Sequence, residues 1–180
     1  MEFGLTVREI RLKHDMEREL GFVVNDPNML THNYSDETPL MLVNFTDNPL
    51  NYTKLLIKMG ADPNFTDPEE GTALHYAAAN ENPDTIKYLL SVGANPFIKD
   101  GQGETPYDFA NRLNHIIEAD ILKDAMIRKI QSRTRRYLTH KHRKKAYRSL
   151  ALAKSMESQQ GPFSSIRYDP SLIEKVSEFM

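Results

Sequence analysis

The sequence predicts an all-α fold: a solenoid of about three stacked helical hairpins behind an N-terminal capping helix, followed by a long basic helix. Three observations carry that prediction. Two unrelated sequence landmarks recur with one period of about 33 residues; each period opens on residues that start helices, and the first two close on glycines that stop them. Beyond the last period, residues 107–160 keep helical spacing with neither glycine nor proline to interrupt them.

The first landmark is Thr38-Pro39-Leu40-Met41, which returns one period later as Thr72-Ala73-Leu74-His75 and again as Thr105-Pro106-Tyr107-Asp108. The second is Leu55-Leu56-Ile57-Lys58-Met59-Gly60-Ala61, which aligns with Tyr88-Leu89-Leu90-Ser91-Val92-Gly93-Ala94 at the same interval. Each threonine stands where a helix N-cap hydroxyl belongs. Proline follows two of them at the first helical position, where its missing N–H costs nothing. Ala77 and Ala78 are small enough to let neighbouring helices approach, with Leu40, Leu42, Leu74 and Ala110 facing the same seam. Asn48-Pro49 and Asn82-Pro83 interrupt the pattern and reverse the chain into a second helix. Gly60 and Gly93 then end the hairpin in a left-handed turn.

These residues resemble the ankyrin repeat, T-P-L-H-x-A-A followed by a turn, a helix ending in L-L and then G-A-D-x-N, closely over about 38–110. The resemblance implies repeats over 32–66, 67–99 and 100–124, with residues 1–31 as a degenerate capping repeat whose stretch 16–21 imitates the end of an outer helix. Single repeats bury one face only, so such a cap is physically required. It also implies that the last outer helix runs over 111–122, starting at Asn111; helical spacing then either carries it on into the basic segment or restarts it after a break near 124. Polar fingers over 62–71 and 95–104 are expected, and such fingers, with the inner helices, are where partners of this family dock. The expected binding residues are Tyr34, Glu37, Glu69, Glu70, Tyr76, Asn80, Gln102 and Glu104. Their acidity favours a basic protein partner. His75 is read as structural, its imidazole bonded to backbone and to the nearby threonine hydroxyl.

Charge separates sharply along the chain. Residues 128–154 hold eleven Lys or Arg and no Asp or Glu, which leaves twelve basic residues against all twenty-five acidic ones elsewhere. The segment 125–154 reads as a cationic helix with an apolar stripe of Ile130, Tyr137 and Leu138. Ile130-Gln131-Ser132-Arg133-Thr134-Arg135 resembles the start of an IQ motif, although Arg136 replaces its glycine and His140 its last arginine. That resemblance implies a calmodulin-like partner, with Ile130 anchored in its groove and Gln131, Arg135, Arg136 and Tyr137 around it. Two other readings stand beside it. The helix caps the stack, or Lys141, Arg143, Lys144 and Lys145 meet nucleic acid or another anionic surface over 128–148.

No phosphate-cradling glycine loop, nucleophile elbow or metal-spaced cluster is present, so the expectation is a non-catalytic scaffold or adaptor with no cofactor and no metal. Assembly as one structural subunit of a larger particle is the further alternative. The absence of cysteine and of a long apolar run predicts an intracellular protein, cytoplasmic or nuclear, without a membrane span. The short divergent repeats with a basic tail resemble ankyrin chains of large DNA viruses and intracellular bacteria, for which the location would be the host cell or virion. Residues 155–180 read as a linker followed by a short amphipathic helix over 171–179.

Overall fold

A computed structural model describes residues 4–31 and 36–158, with side chains to residue 149. Among the described residues seven α-helices follow in order: α1 Val7–Leu20, α2 Pro39–Leu42 extended by the 3-10 turn Val43–Phe45, α3 Pro49–Met59, α4 Ala73–Ala79, α5 Pro83–Ser91, α6 Pro106–Arg112 and α7 Ile116–Ser158. The chain divides into two compact units, Met1–Arg128 and Lys129–Met180. Residues 155–158, read as the start of a linker, are the last residues of α7, and the amphipathic helix read over 171–179 lies outside the described residues. Among the described residues no helix is long and apolar enough to cross a membrane.

Within the first unit, α2, α4 and α6 pack side by side as an inner row, while α1, α3 and α5 form an outer row. Periodicity in the sequence becomes periodicity of burial. Leu56, Leu89 and Leu122 stand one period apart in turn, and all three are fully buried. Ala77 and Ala78 are fully buried as well, so their small side chains let α4 close against its neighbours. Leu122 shows that the first turns of α7 are the third outer helix. That helix does not begin at Asn111, which belongs to α6; it begins at Ile116, after a turn in which Asn114 takes the left-handed φ of 63°.

Helix ends follow the expected chemistry. Gly60 and Gly93 adopt φ near +103° and +102°, and the N–H of the following alanine closes back on Leu56 in one case and Leu89 in the other. The third period has Met126 at that register, one full interval after Gly93. A side chain disfavours the left-handed stop, so α7 continues instead of ending.

Three different side chains serve one purpose at the helix starts. The Thr72 N–H donates to His75 Nδ1 at 3.0 Å, the Thr105 N–H to Asp108 Oδ2 at 3.0 Å, and the Thr38 N–H to Met41 Sδ at 3.4 Å. Each satisfies a backbone donor that the helix leaves without an internal partner. His75 does more, because its Nε2 lies 3.2 Å from the Glu104 carbonyl and so ties its repeat to the next.

The loops are laced together at the repeat interval. Asp62 N–H donates to Asn28 Oδ1 at 2.7 Å, and Asn95 N–H donates to Asn64 Oδ1 at 2.7 Å. Asn28 thus performs for the capping repeat what Asn64 performs for the next one. The cap is fastened further by Lys58, which pairs with Glu9 at 2.7 Å, and by the Tyr52 hydroxyl, which donates to Glu19 at 2.5 Å. The Lys58 ammonium, then the Thr6 N–H, hold the Glu9 carboxyl at about 2 against a usual 4.5. Stability from this depressed acid is present above the unfolded value and lost as pH falls toward the folded one.

Burial holds the His75 imidazole below its usual pKa. An unfolded chain therefore takes up a proton near pH 6.5 that the folded chain resists, so stability falls as pH drops through that value. Urea unfolding at pH 7.5 and 5.5 should show this loss. His75→Ala should cost about 2 kcal/mol at pH 7.5 by stranding the Thr72 donor and the Glu104 acceptor, and should flatten the pH dependence. An unchanged slope would remove His75 as its source.

Candidate functional site

The fingers are built by an aspartate that repeats with the period of the fold. Asp67 Oδ1 accepts the N–H groups of Glu69 and Gly71 at 2.8 and 2.9 Å, and Asp100 Oδ1 accepts those of Gln102 and Glu104 at 3.0 and 2.9 Å. Each side chain therefore holds its finger closed from within. On the finger that Asp67 closes, Glu70 takes a left-handed φ of 60° and is exposed beside Glu69. Adjacent fingers are joined by the Gly101 N–H, which donates to the Glu69 carbonyl at 2.7 Å. A Cβ at Gly101 would stand 3.1 Å from that same oxygen, so a larger residue would push the two fingers apart by a few tenths of an ångström.

Where fingers meet inner helices, one hydroxyl gathers two acids. Tyr76 on α4 lies 2.8 Å from Glu37 Oε1 and 2.8 Å from Asp67 Oδ2. Its single proton serves only one of them at a time. Burial, then the bonds to Asp67 and Glu37, raise the Tyr76 hydroxyl far above its usual pKa of 10.0. Phe45, at the end of the first inner helix, stands edge-on to the Tyr76 ring with centroids 6.0 Å apart and is 62% exposed. Asn80 closes α4, its Nδ2 donating to the Tyr76 carbonyl at 3.0 Å.

Of the residues expected from the sequence, Glu37 and Tyr76 are in direct contact, with Asn80 one helical turn away. Glu69, Glu70 and Gln102 are exposed on the fingers, and Glu104 is half-buried. The Glu104 carboxylate is already engaged, because Arg112 Nε lies 3.0 Å from both its oxygens while the guanidinium covers the Phe109 ring at 4.6 Å. Tyr34 lies outside the described residues. Sequence reasoning misses Asp67 and Phe45. The recurrence of Asp67 at Asp100 is the available signal for the first; the second has no period to betray it.

In the second unit α7 presents its cations to solvent. Gln131, Arg135, Arg136, Lys141, Arg143, Lys144 and Lys145 are all exposed, and so are the apolar Ile130, Tyr137 and Leu138, at 53%, 64% and 46%. The Thr134 and Thr139 hydroxyls donate to the carbonyls of Ile130 and Arg135, one helical turn earlier.

Comparison with known proteins gives a family match to ankyrin repeats (3 copies) over residues 17–100 and 40–127, more than half of the chain. A protein named as a probable E3 ubiquitin-protein ligase from Oryza sativa subsp. japonica is 39% identical over 82 residues, 44% of this chain and 16% of that protein. An ankyrin repeat protein of Acanthamoeba polyphaga mimivirus is 32% identical over 91 residues, 49% of this chain and 12% of its own length. The SH3 and multiple ankyrin repeat domains protein 2 of Homo sapiens is 41% identical over 70 residues, 39% of this chain and 4% of that protein. The matches thus span less than a fifth of each of these relatives.

Ring-labelled tyrosine NMR tests the shared hydroxyl. In the folded chain Tyr76 should stay protonated at pH values where an ordinary tyrosine, with its pKa of 10.0, has already ionised. Glu37→Gln should bring its titration down. Titration near 10 in both chains would break the link between this hydroxyl and the two acids.

Proposed function

This chain belongs to the ankyrin-repeat family, and from that premise we propose that it is a scaffold or adaptor without catalytic activity, holding a basic segment of a partner protein. Ankyrin repeats are a protein–protein interaction module. What supports this finer reading above all is the convergence of Glu37 and Asp67 on Tyr76 at the base of acidic fingers. Glu69, Glu70, Asp100 and Gln102 extend that polar surface, and Lys99 is the only cation within 62–71 and 95–104. Like charges gathered on so small an area favour a partner of opposite sign and speed its encounter. The rigid fingers lower the ordering cost of docking.

A second reading is favoured by one observation, the exposure of Ile130, Tyr137 and Leu138 on a helix crowded with cations. An apolar stripe ringed by arginines suits a helix-in-groove contact with an acidic, calmodulin-like protein, whereas nucleic acid would use the cations alone. Neither partner accounts for the acidic fingers. The helix therefore stands as an additional element, and its role in a larger assembly follows from whatever it binds.

Affinity capture from the native source, followed by hydrogen-exchange footprinting of the complex, separates these surfaces. Protection should fall on Glu37, residues 67–76, Asn80 and Gln102, and the double variant Glu69→Lys, Glu70→Lys should weaken binding roughly tenfold or more. A footprint confined to 128–148, with binding abolished by Ile130→Glu and untouched by the finger variant, would transfer the function to the basic helix.

A further inference from the structure

We propose that Phe45, Tyr76, Glu37 and Asp67 form a seat for one arginine side chain of the partner segment, an inference that rests on the docking face described above. The seat is short of protons. Two carboxylate oxygens stand 2.8 Å from one phenolic oxygen that carries a single hydrogen, so at any moment one acid faces that oxygen without a donor from it. Asp67 is 6% exposed and keeps two backbone N–H bonds, whereas Glu37 is half-buried and reaches solvent. Beside them, the exposed Phe45 ring meets Tyr76 edge-on and leaves an aromatic surface uncovered. A cationic donor able to lie on a ring would satisfy the acid and cover the aromatic surface at once.

The chain itself shows what such a combination takes. Glu104 is the repeat equivalent of Glu37, and Phe109 that of Tyr76. In the third repeat this acid and this ring are occupied by the chain's own Arg112, with Nε 3.0 Å from both carboxylate oxygens and the guanidinium 4.6 Å from the ring centroid. One period back from Arg112 stands Ala79, and two periods back stands Phe45. Neither supplies a cation. Between them the first two repeats thus keep the acid and the aromatic ring while lacking the arginine that fills them in the third.

Arginine suits the seat better than lysine. A planar guanidinium stacks on a ring and forks toward a carboxylate at once, whereas an ammonium is a compact, strongly hydrated charge. Glu37 and Asp67 would share the fork, with Phe45 covering the apolar stem.

The test titrates N-acetyl-arginine amide into the full chain while NMR follows the ring resonances of Phe45 and Tyr76, with N-acetyl-citrulline amide as the uncharged isostere. Saturable shifts of both rings are expected from the arginine compound, and citrulline should bind roughly tenfold or more weakly. Glu37→Gln and Phe45→Ala, both outside the buried core, should each weaken the arginine response severalfold. Arg112→Ala should open the third-repeat seat and add shifts at Phe109. Equal responses to arginine and citrulline, or binding indifferent to both seat variants, would overturn the proposal. Rings unmoved by arginine in a chain whose finger variant still abolishes partner capture would remove this seat alone. Arginine binding at the seat, with partner protection falling elsewhere, would instead remove the docking face.

Discussion

No hairpin in this chain can bury both of its faces, so every repeat depends on its neighbour for its core and for its polar bonds. Apolar contact supplies the first need, through Leu56, Leu89 and Leu122 at one register and Ala77 and Ala78 between inner helices. The second need is more exacting, since loop N–H and carbonyl groups pressed against another repeat must find partners. Asn28 and Asn64 accept from the loop one repeat on, His75 reaches the Glu104 carbonyl, and Asn82 Nδ2 donates to the Asn44 carbonyl at 2.9 Å. His115 continues the series, its Nδ1 2.9 Å from the Ala78 carbonyl. Stacking and loop order are therefore one property.

That dependence explains how a surface made mostly of loops can present a fixed arrangement of charge. Asp67 and Asp100 close their fingers from inside, and the Gly101 to Glu69 bond fixes one finger to the next. With the backbone held, Glu37, Asp67 and Tyr76 meet from elements distant in sequence. Preorganised acids lose little entropy on binding, which is the physical advantage of placing recognition on such a scaffold. Charge on α7 is displayed differently, as a run of exposed cations on one helix.

Local chemistry makes much of this legible in the sequence. The threonine caps, the prolines at helix starts and Gly60 and Gly93 act through their own backbone, so their effects are readable residue by residue. Even the exchange of His75 for Asp108 or Met41 is visible as a shared position, although its shared purpose is not: only the geometry shows all three accepting a threonine N–H. What escapes depends on contacts between different elements, whether the residues are distant in the sequence or only a few positions apart. Phe45 gives no sign that it will stand against Tyr76, and nothing near Glu104 announces that Arg112 will occupy it. The sequence leaves open whether the last outer helix stops or continues, and Met126 at the glycine register supplies the reason it continues. Of the expected site, the fingers and Tyr76 can be placed from the repeat, while the second acid on its hydroxyl cannot.

The most direct test is native-state hydrogen exchange of the Asp62 and Asn95 amides, which lie in loops but donate to asparagines one repeat back. Protection approaching that of the α4 and α5 helix amides is expected if the fingers are held by the stack. Exchange at the rate of an unstructured loop would mean that the repeats do not lock each other, and the fixed acidic face would have no support.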